Sequence, residues 1–405
     1  MRSVQDHLAA VLAAVGPVAP LDVVLHDASG CILAADLVAP RDVPALTVAA
    51  RDGYAVAAHD TVDALRSIPV AHDVRPGAGG PLRLVPGQAV RVASGAPLPL
   101  GADAVVPLEE TDRGAAHVAL QRPAVAGQFV RPAASDVRAG EVVVEAGTRL
   151  GARQLALAAA LGRSRLRVHP HPRVVLLSVG DELVEPGTNA EQGAVFEANG
   201  HALEAAVRDA DATPVRVAVL PDDRGGLREA LEDQLVRADL IVTTGGLSEL
   251  AHDTVKDVLA PLGSVRLDQV AMTPGQRHGF GVVGAELGDR AVPIFALQGH
   301  PVAAQVSFEV FVRPALRAMA GHTELYRPSV AAETTQGWTS PAALRQFVPA
   351  MVLGSPEEGY RATPLGDPNA PTVNALAHAN ALAVVGEQDR SVHPGQVVHC
   401  LVLEG

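Results

Sequence analysis

Residues 240–248, Leu-Ile-Val-Thr-Thr-Gly-Gly-Leu-Ser, show the pattern that decides the fold, an apolar run that ends in a glycine pair. Similar apolar runs occur twice more, each leading into a turn with a single glycine. The run 174–179 ends in Gly180-Asp181, and the run 292–297 leads into Gly299-His300-Pro301. Short apolar runs that end in turn residues are typical of strands buried inside a parallel sheet. The three runs therefore predict three strands of one sheet.

Helical patterns separate these runs. Apolar residues recur at helical spacing around Leu203 and Val207, over 227–235 and over 255–262, and a long helical pattern extends from Pro301 to about Met319. A further strand is predicted over 215–220. Strands that alternate with helices form a mostly parallel sheet covered on both faces, so this part of the chain predicts a doubly wound α/β fold.

The flanking segments have a different texture. Before the α/β part, short β-like runs between Gly and Pro turns (89–93, 104–107, 117–121, 141–145) predict a small all-β unit, followed by a helix over 153–161. After it, the runs 347–353, 381–385 and 396–403 predict a second small β domain. A chain of 405 residues has room for two to four domains. The fold class is therefore α/β plus all-β parts.

Composition excludes several classes of protein. A net charge of −13 argues against a nucleic-acid-binding protein, and 3% aromatic residues give no platform for stacking single strands. No apolar run is long enough to span a membrane, and Asp6 and His7 interrupt the stretch that could pass for a signal peptide. We expect a cytoplasmic protein. Cys31 and Cys400 lie too far apart in sequence to suggest a disulfide framework or a cysteine zinc site.

The carboxyl ends of the three predicted strands indicate where a ligand binds. In open α/β sheets the binding crevice lies beyond the carboxyl ends of the strands. Glycines let a ligand approach the backbone closely, and the helix N-termini behind them favour phosphate or an oxyanion. Each of the three glycine-containing loops, taken alone, is also compatible with a plain tight turn. All but one of the 32 basic residues are arginine, and the exception, Lys256, receives no function from the sequence.

Several strings, in order along nearly the whole chain, resemble one family, the MoeA or gephyrin-E-domain type of molybdopterin molybdenumtransferase. They are Arg51-Asp52-Gly53-Tyr54-Ala55-Val56, the stretch 94–106, the stretch 172–184 with Gly180-Asp181-Glu182, Gly245-Gly246-Leu247-Ser248 with Asp253, Pro274-Gly275, Gly299-His300-Pro301-Val302, and Asn380-Ala381 with Pro394-Gly395.

The resemblance implies an elongated subunit of four parts. These are a segmented linker domain (1–45 and 126–169), an inserted β domain (46–125), a MogA-like α/β molybdopterin-binding domain (170–322) and a C-terminal β-barrel (323–405). Family members are homodimers whose active cleft lies between the α/β domain of one subunit and the Asp52-bearing part of the other. Their reaction inserts molybdate into adenylylated molybdopterin, releases AMP and depends on Mg²⁺. A molybdopterin adenylyltransferase is a further partner that the resemblance suggests.

The resemblance also assigns residues. Asp52, Asp181 and Asp253 are the expected catalytic carboxylates, and Asp181, Asp253 and Glu197 are the expected metal ligands, since Mg²⁺ prefers hard oxygen donors. Plainer roles are open: a turn for Asp52, a cap of a turn for Asp181, a helix N-cap for Asp253. The expected binding residues are Gly245, Gly246, Ser248, Pro274, Gly275, Arg277, Gly299, His300 and Pro301. Ser248 is otherwise a solvated serine, and His300 a neutral turn residue.

The chain departs from the family at this site. Leu250 and Ala251 replace a glycine and a carboxylate, Thr273 and Gln276 replace two lysines, and Ala303 replaces a serine. Arg277 stands one position away from a missing lysine. Each lost charge-assisted hydrogen bond costs about 1.5 to 3 kcal/mol of binding. The sequence therefore leaves open an active transferase, a catalytically degenerate paralogue that serves as a cofactor-binding or protein-interaction scaffold, and an enzyme for a different nucleotide or pterin-like ligand.

Overall fold

The structure is a computed structural model that describes residues 1–63, 67–77, 82–247, 254–259, 261, 264–284 and 291–403. The chain divides into two compact units. One consists of Met1–Ala34, Arg149–Gly151 and Arg167–Gly405, and the other of Ala35–Thr148 and Ala152–Leu166. We name them the major unit and the minor unit. The finer division into four parts stays a prediction.

The elements are named in chain order. The strands are β1 (Leu21–Val24), β2 (Ile32–Leu33), β3 (Leu37–Val38), β4 (Val48–Ala49), β5 (Gly53–Val56), β6 (Ile68–Val74), β7 (Ala89–Val92), β8 (Ala104–Pro107), β9 (His117–Val118), β10 (Val130–Arg131), β11 (Val142–Val144), β12 (Arg165–His169), β13 (Arg173–Ser178), β14 (Leu183–Val184), β15 (Val195–Phe196), β16 (Thr213–Arg216), β17 (Leu240–Thr244), β18 (Arg266–Gln269), β19 (Met272–Thr273), β20 (Arg277–Val283), β21 (Val292–Leu297), β22 (Ser329–Thr334), β23 (Trp338–Thr339), β24 (Arg345–Ser355), β25 (Gly359–Pro364), β26 (Ala381–Val385), β27 (Ser391–Val392) and β28 (Val397–Val402). The α-helices are α1 (Val4–Ala14), α2 (Ala152–Ala160), α3 (Asn199–Asp209), α4 (Arg224–Leu235), α5 (Thr254–Leu259), α6 (Pro301–Ser307), α7 (Arg313–Met319) and α8 (Val373–Ala377). Short 3₁₀ turns lie at Ala58–Thr61 and Leu108–Glu110, and a π-helical turn lies at Phe308–Val312.

The minor unit is built on a five-stranded sheet in the order β8-β5-β7-β6-β9. The inner strand β5 is buried along its whole length, because β7 and β8 pair with it on either side. Gly53 begins β5, and a Cβ at that position would lie 2.1 Å from the carbonyl oxygen of Val106. The small all-β unit predicted from the sequence is thus present, and its inner strand β5 requires glycine at its first position.

The major unit contains a six-stranded sheet in the order β16-β13-β17-β21-β20-β18. Strands β16, β13, β17 and β21 are parallel to one another, and β20 and β18 are antiparallel to their neighbours. One hydrophobic core includes Leu203 of α3 and Phe311 of the π-helical turn, and another includes Leu227 and Leu231 of α4. The predicted doubly wound α/β fold is therefore confirmed.

Two elements differ from the sequence pattern. The strand expected over 215–220 is β16, which begins at Thr213 and ends at Arg216. It contains Pro214, which has no backbone N–H. An edge strand tolerates proline where an N–H at that position would face away from the sheet. The long helix is interrupted at the π-helical turn, because Pro314 has no N–H to donate to the preceding turn. No helix within the described ranges is long and apolar enough to cross a bilayer.

The C-terminal part of the major unit is a barrel. Strand pairing runs β24-β25-β22-β28-β26, and β26 pairs again with β24, which closes the circle. Its interior is filled with small apolar side chains such as Val348, Ala362 and Ala383. Closure leaves no free edge between these strands, and the expected C-terminal β-barrel is confirmed.

Candidate active site

The three glycine loops meet at one edge of the α/β sheet. Because β13, β17 and β21 are parallel, their carboxyl ends share that edge. The backbone N–H of Val179 donates to the carbonyl of Thr244 at 2.9 Å, and the N–H of Gly245 donates to the carbonyl of Leu297 at 3.2 Å. The convergence that the sequence predicts is therefore confirmed.

Glycine is required where these loops touch. Gly245 has φ +86°, and a Cβ on it would lie 2.2 Å from the carbonyl oxygen of Val179. Gly246 has φ +65°, and its Cβ would lie 2.5 Å from the Cγ2 of Val255 on α5. A Cβ on Gly299 would lie 3.4 Å from the Cα of Gly245, an ordinary contact that shows the close approach of the two loops but does not itself require glycine. The loops thus form a surface made largely of backbone, where amide groups are within reach of a ligand.

A buried polar network lies under this edge. Ser178, the last residue of β13, donates to Oε1 of Glu197 at 3.0 Å, and the backbone N–H of Gly200 donates to the same oxygen at 2.6 Å. Oε2 of Glu197 has no hydrogen-bond partner among the described residues and lies 3.7 Å from the guanidinium of Arg216. Glu197 therefore anchors the start of α3 to the end of β13, and Arg216 already supplies positive charge to its second oxygen.

The third loop is fixed from α3. Asn199, the first residue of that helix, donates through Nδ2 to the carbonyl of Gly299 at 2.8 Å. His300 follows as an exposed residue with no side-chain capping bond, and Pro301 occupies the first position of α6. Proline is favoured there because its missing N–H would have no partner inside the helix. The predicted binding residues Gly299, His300 and Pro301 therefore lie together at the helix start.

The stretch 273–277 reaches the same edge from the other side of the sheet. Since β20 is antiparallel to β21, with Gly279 opposite Ala296, its first residue Arg277 lies near the carboxyl end of β21. The Thr273-Pro274 peptide is cis, and Gly275 has φ +93°. The predicted residues Pro274, Gly275 and Arg277 thus stand at the edge where the glycine loops converge.

A cavity of about 210 Å³, which we name the edge cavity, opens at this place. Its walls carry two cations, Lys256 from α5 and Arg277 from β20, and one carboxylate, Asp268, which pairs with Arg2 at 3.3 Å. The complete lining is Leu247, Lys256, Leu267, Asp268, Gln269, Arg277 and His278. With an ammonium and a guanidinium in its walls, the edge cavity suits a small oxyanion.

His278 lies in the wall of the edge cavity and is buried. Its Nε2 lies 2.6 Å from the carbonyl oxygen of Gly275, and its ring packs edge-on against Phe311 at 4.9 Å. Burial, together with the nearby ring of His7, lowers the pKa of His278 from 6.5 to about 3. The imidazole is therefore neutral near pH 7.

The predicted carboxylates have partners of their own. Oδ1 of Asp181 accepts from the backbone N–H of Asp222 at 2.9 Å, and both the residue and this bond are exposed. In the minor unit, Oδ1 of Asp52 accepts from the N–H of Ser94 at 2.7 Å. Both bonds agree with the plainer turn-capping roles, and the catalytic roles stay predictions. Ser248 and Asp253, like Leu250 and Ala251, lie outside the described residues.

The predicted metal ligands do not form a ready-made metal site in the described part of the chain. No group of three or more His, Cys, Asp or Glu side chains there is arranged to hold an ion. Glu197 is occupied by Ser178, Gly200 and Arg216, whereas Asp181 is exposed and offers hard carboxylate oxygen. Among the described carboxylates Asp181 therefore fits a divalent cation better than Glu197 does.

Sequence reasoning missed Lys256 and His278. Lys256 is the single lysine of the chain, and this was the one feature of the sequence that could have drawn attention to it. His278 directly follows Arg277, but no motif position marks it. Both are recognised only through the edge cavity that they help to line.

Comparison with known families places the whole chain. Residues 2–162 match the MoeA N-terminal region (domain I and II), residues 175–318 match a probable molybdopterin-binding domain, and residues 331–403 match the MoeA C-terminal region (domain IV). The edge cavity and the three glycine loops all fall within the second of these matches.

Full-length relatives agree. The chain is 39% identical to molybdopterin molybdenumtransferase 1 of Mycobacterium tuberculosis, over 98% of both chains, and 31% identical to the molybdopterin molybdenumtransferase of Bacillus subtilis, over 94% of this chain and 89% of the relative. A solved MoeA protein of molybdopterin biosynthesis from Pyrococcus horikoshii superposes with a TM-score of 0.80 at 28% identity, covering 100% of this chain and 99% of the other. The chain belongs to the MoeA family of molybdopterin molybdenumtransferases.

Proposed function

We propose that this protein inserts molybdate into adenylylated molybdopterin and releases AMP, as a step of molybdenum cofactor biosynthesis. The observation that carries the proposal is the meeting of three glycine loops and a cationic cavity at one edge of the molybdopterin-binding domain. The names of its full-length relatives support the same activity. The scaffold alternative, which rests on the motif departures, is less favoured, because Lys256 and Arg277 place two cations in the edge cavity although Thr273 and Gln276 stand where the family has lysines.

The site divides between two anionic groups. The backbone amide of Gly246, together with Ser248, is assigned to the phosphates of the adenylylated substrate, and Gly245, whose own N–H donates to Leu297, lets the phosphate approach the main chain. Lys256 and Arg277 are assigned to molybdate, whose double negative charge they offset in the edge cavity. The remaining binding residues lie at the same edge and are assigned to the space between the phosphates and molybdate. They are Gly299, His300 and Pro301. His300 is exposed there and is free to turn toward an oxyanion.

We assign Mg²⁺ to Asp181 and Asp253, because carboxylates supply the hard oxygen atoms that this ion prefers. When bound, the ion neutralises phosphate charge while the phosphoanhydride bond is broken. Asp181 itself contributes an exposed carboxylate whose Oδ1 is oriented by the N–H of Asp222. Glu197 orients Ser178 and the start of α3 through its hydrogen bonds. These bonds support that structural role better than a role as a metal ligand.

The proposed assembly is a homodimer. In it, Asp52 of one subunit faces the edge cavity of the other, which gives the exposed Asp52 carboxylate a catalytic position in addition to its bond with Ser94. A molybdopterin adenylyltransferase is the expected partner, because a reaction of that class produces the adenylylated substrate.

The test is release of AMP from adenylylated molybdopterin in the presence of molybdate and Mg²⁺. Arg277→Gln is expected to lower kcat/KM for molybdate about tenfold to a hundredfold, because a charge-assisted hydrogen bond is worth about 1.5 to 3 kcal/mol. The matched control is Arg228→Gln on α4, where the side chain is 68% exposed and pairs with its helix neighbour Glu232. Wild-type protein that releases no AMP, or equal rates for the two variants, would refute the proposal.

A further inference from the structure

The turn that carries Arg277 is held from inside the protein. The carbonyl oxygen of Gly275 points to the ring of His278, with 2.6 Å between the oxygen and Nε2. Gly275 is buried, and its φ of +93° places that carbonyl in an orientation that other residues rarely adopt. The hydrogen bond spans the two residues between them, so it closes the turn immediately around Arg277.

The chemistry of the bond fixes the state of the histidine. A carbonyl oxygen accepts and cannot donate, so Nε2 must carry the hydrogen. Nδ1 is buried without a hydrogen-bond partner among the described residues, and the neighbouring rings are those of His7 at 5.4 Å and Phe311 at 4.9 Å. The hydroxyl of Ser307 lies 3.5 Å from the same Nε2, a longer contact in which a hydroxyl oxygen can also accept. The short bond to Gly275 therefore sets the tautomer of His278, and Ser307 is compatible with it.

We infer that His278 is a positioning residue: its Nε2–H bond to the Gly275 carbonyl fixes the turn 273–277 and thereby directs Arg277 into the edge cavity. His278 and Arg277 are adjacent in sequence and line the same cavity. His278 acts through Arg277 and is not itself assigned a contact with the reacting atoms. The inference rests on the proposed function only in naming molybdate as the anion that Arg277 holds.

Packing alone does not account for a histidine at this position. The ring of His278 contacts those of Phe311 and His7, and His7 in turn contacts Phe280, with all of these contacts edge-on or tilted. Phenylalanine would fill the same space without leaving a buried nitrogen unpaired. Phenylalanine lacks the N–H that donates to the carbonyl of Gly275. The two side chains therefore differ in their hydrogen bond to the turn, whereas their packing in the core is similar.

The experiment compares wild type with His278→Phe, which keeps the ring and removes the donor, and His278→Gln, whose amide N–H keeps a donor at similar reach. Each protein is crystallised without ligand, its unfolding midpoint in urea is measured, and molybdate binding is followed by titration calorimetry. Independently of any variant, the ¹⁵N NMR shifts of wild-type His278 report which ring nitrogen carries the hydrogen.

We expect His278→Phe to keep its unfolding midpoint, to show a displaced 273–277 turn and to bind molybdate about tenfold more weakly, while His278→Gln recovers most of that loss. A turn that superposes on wild type, unchanged affinity in the Phe variant, or an Nδ1–H tautomer in wild type overturns the inference. If the turn moves in His278→Phe but wild type neither binds molybdate nor releases AMP, the proposed function fails and the positioning role stands.

Discussion

His7, on α1, is a buried histidine whose two ring nitrogens have no hydrogen-bond partner among the described residues. Burial, together with the nearby guanidinium of Arg2, lowers its pKa from 6.5 to about 4, although Asp268 acts in the opposite direction. Arg266 acts in the same direction as Arg2. In the folded protein His7 therefore stays neutral until the pH falls to about 4.

Neutral burial makes stability depend on pH. Below pH 6.5 the unfolded chain takes up a proton at His7 and the folded chain does not, so stability falls as pH drops from about 6.5 toward 4. His7→Phe removes the contribution of His7 to this dependence, while that of His278 remains in both proteins. The phenylalanine ring fits because His7 already packs edge-on against Phe311 at 4.8 Å. Between pH 7.5 and 5.5, wild type should lose roughly 1.4 kcal/mol of unfolding free energy relative to the variant, measured in urea.

The control for this prediction is His117→Phe, which changes an exposed histidine on β9 in the same way. Its pH dependence should match that of wild type. If His7→Phe and wild type lose stability in parallel between pH 7.5 and 5.5, the buried imidazole takes up a proton without cost and the prediction is wrong.

Single residues of the site differ in how far sequence predicts them. Arg277 was predictable because it lies one position from an expected motif lysine. Lys256 and His278 were not, because each owes its role to neighbours across the sheet: the edge cavity for Lys256, and the carbonyl of Gly275 for His278. The spacing of residues along the chain shows a motif position such as that of Arg277. It does not show contacts between residues across the sheet, on which the roles of Lys256 and His278 depend.

At the scale of elements, alternation of strands and helices was enough to predict the α/β sheet and the convergence of its loops. Local pattern failed where tertiary contacts decide. The apolar alternation continues past Arg216, but the regular ladder with β13 ends there. The helix from Pro301 widens into a π-helical turn before Pro314, which hydrophobic periodicity does not report.

The loop after β17 gives the element-scale prediction. Gly245→Ala adds a Cβ 2.2 Å from the Val179 carbonyl at a φ of +86°, so it combines backbone strain with a clash between two loops. We expect a loss of about 2 to 4 kcal/mol in unfolding free energy, together with lost AMP release. Urea unfolding followed by circular dichroism measures the first effect.

A matched control separates strain from clash. Gly187 has a φ of +88°, and a Cβ there would meet nothing within 4 Å. Gly187→Ala should therefore cost about 1 kcal/mol, the strain alone. Equal losses for the two variants would show that the loops after β13 and β17 do not approach as closely as described.

At the scale of the whole molecule, the proposed homodimer predicts that two strongly impaired variants restore activity to each other when they are mixed. Asp52→Asn keeps the oxygen that accepts from Ser94 at 2.7 Å and removes only the charge, and Arg277→Gln removes the guanidinium of the edge cavity. If each cleft takes Asp52 from one subunit and Arg277 from the other, a mixed dimer has one cleft with both changes and one with neither. Each variant alone has no intact cleft.

Random exchange makes about half of the dimers mixed, with one intact cleft in two, so the mixture should recover about a quarter of the wild-type rate of AMP release. Co-expression with two different tags and purification over both gives mixed dimers alone, whose rate should rise to about half. If both residues of a cleft come from one subunit, a mixed dimer carries one defect in each cleft and recovers nothing. The rate of the doubly purified dimer therefore distinguishes a shared cleft from one that each subunit builds alone.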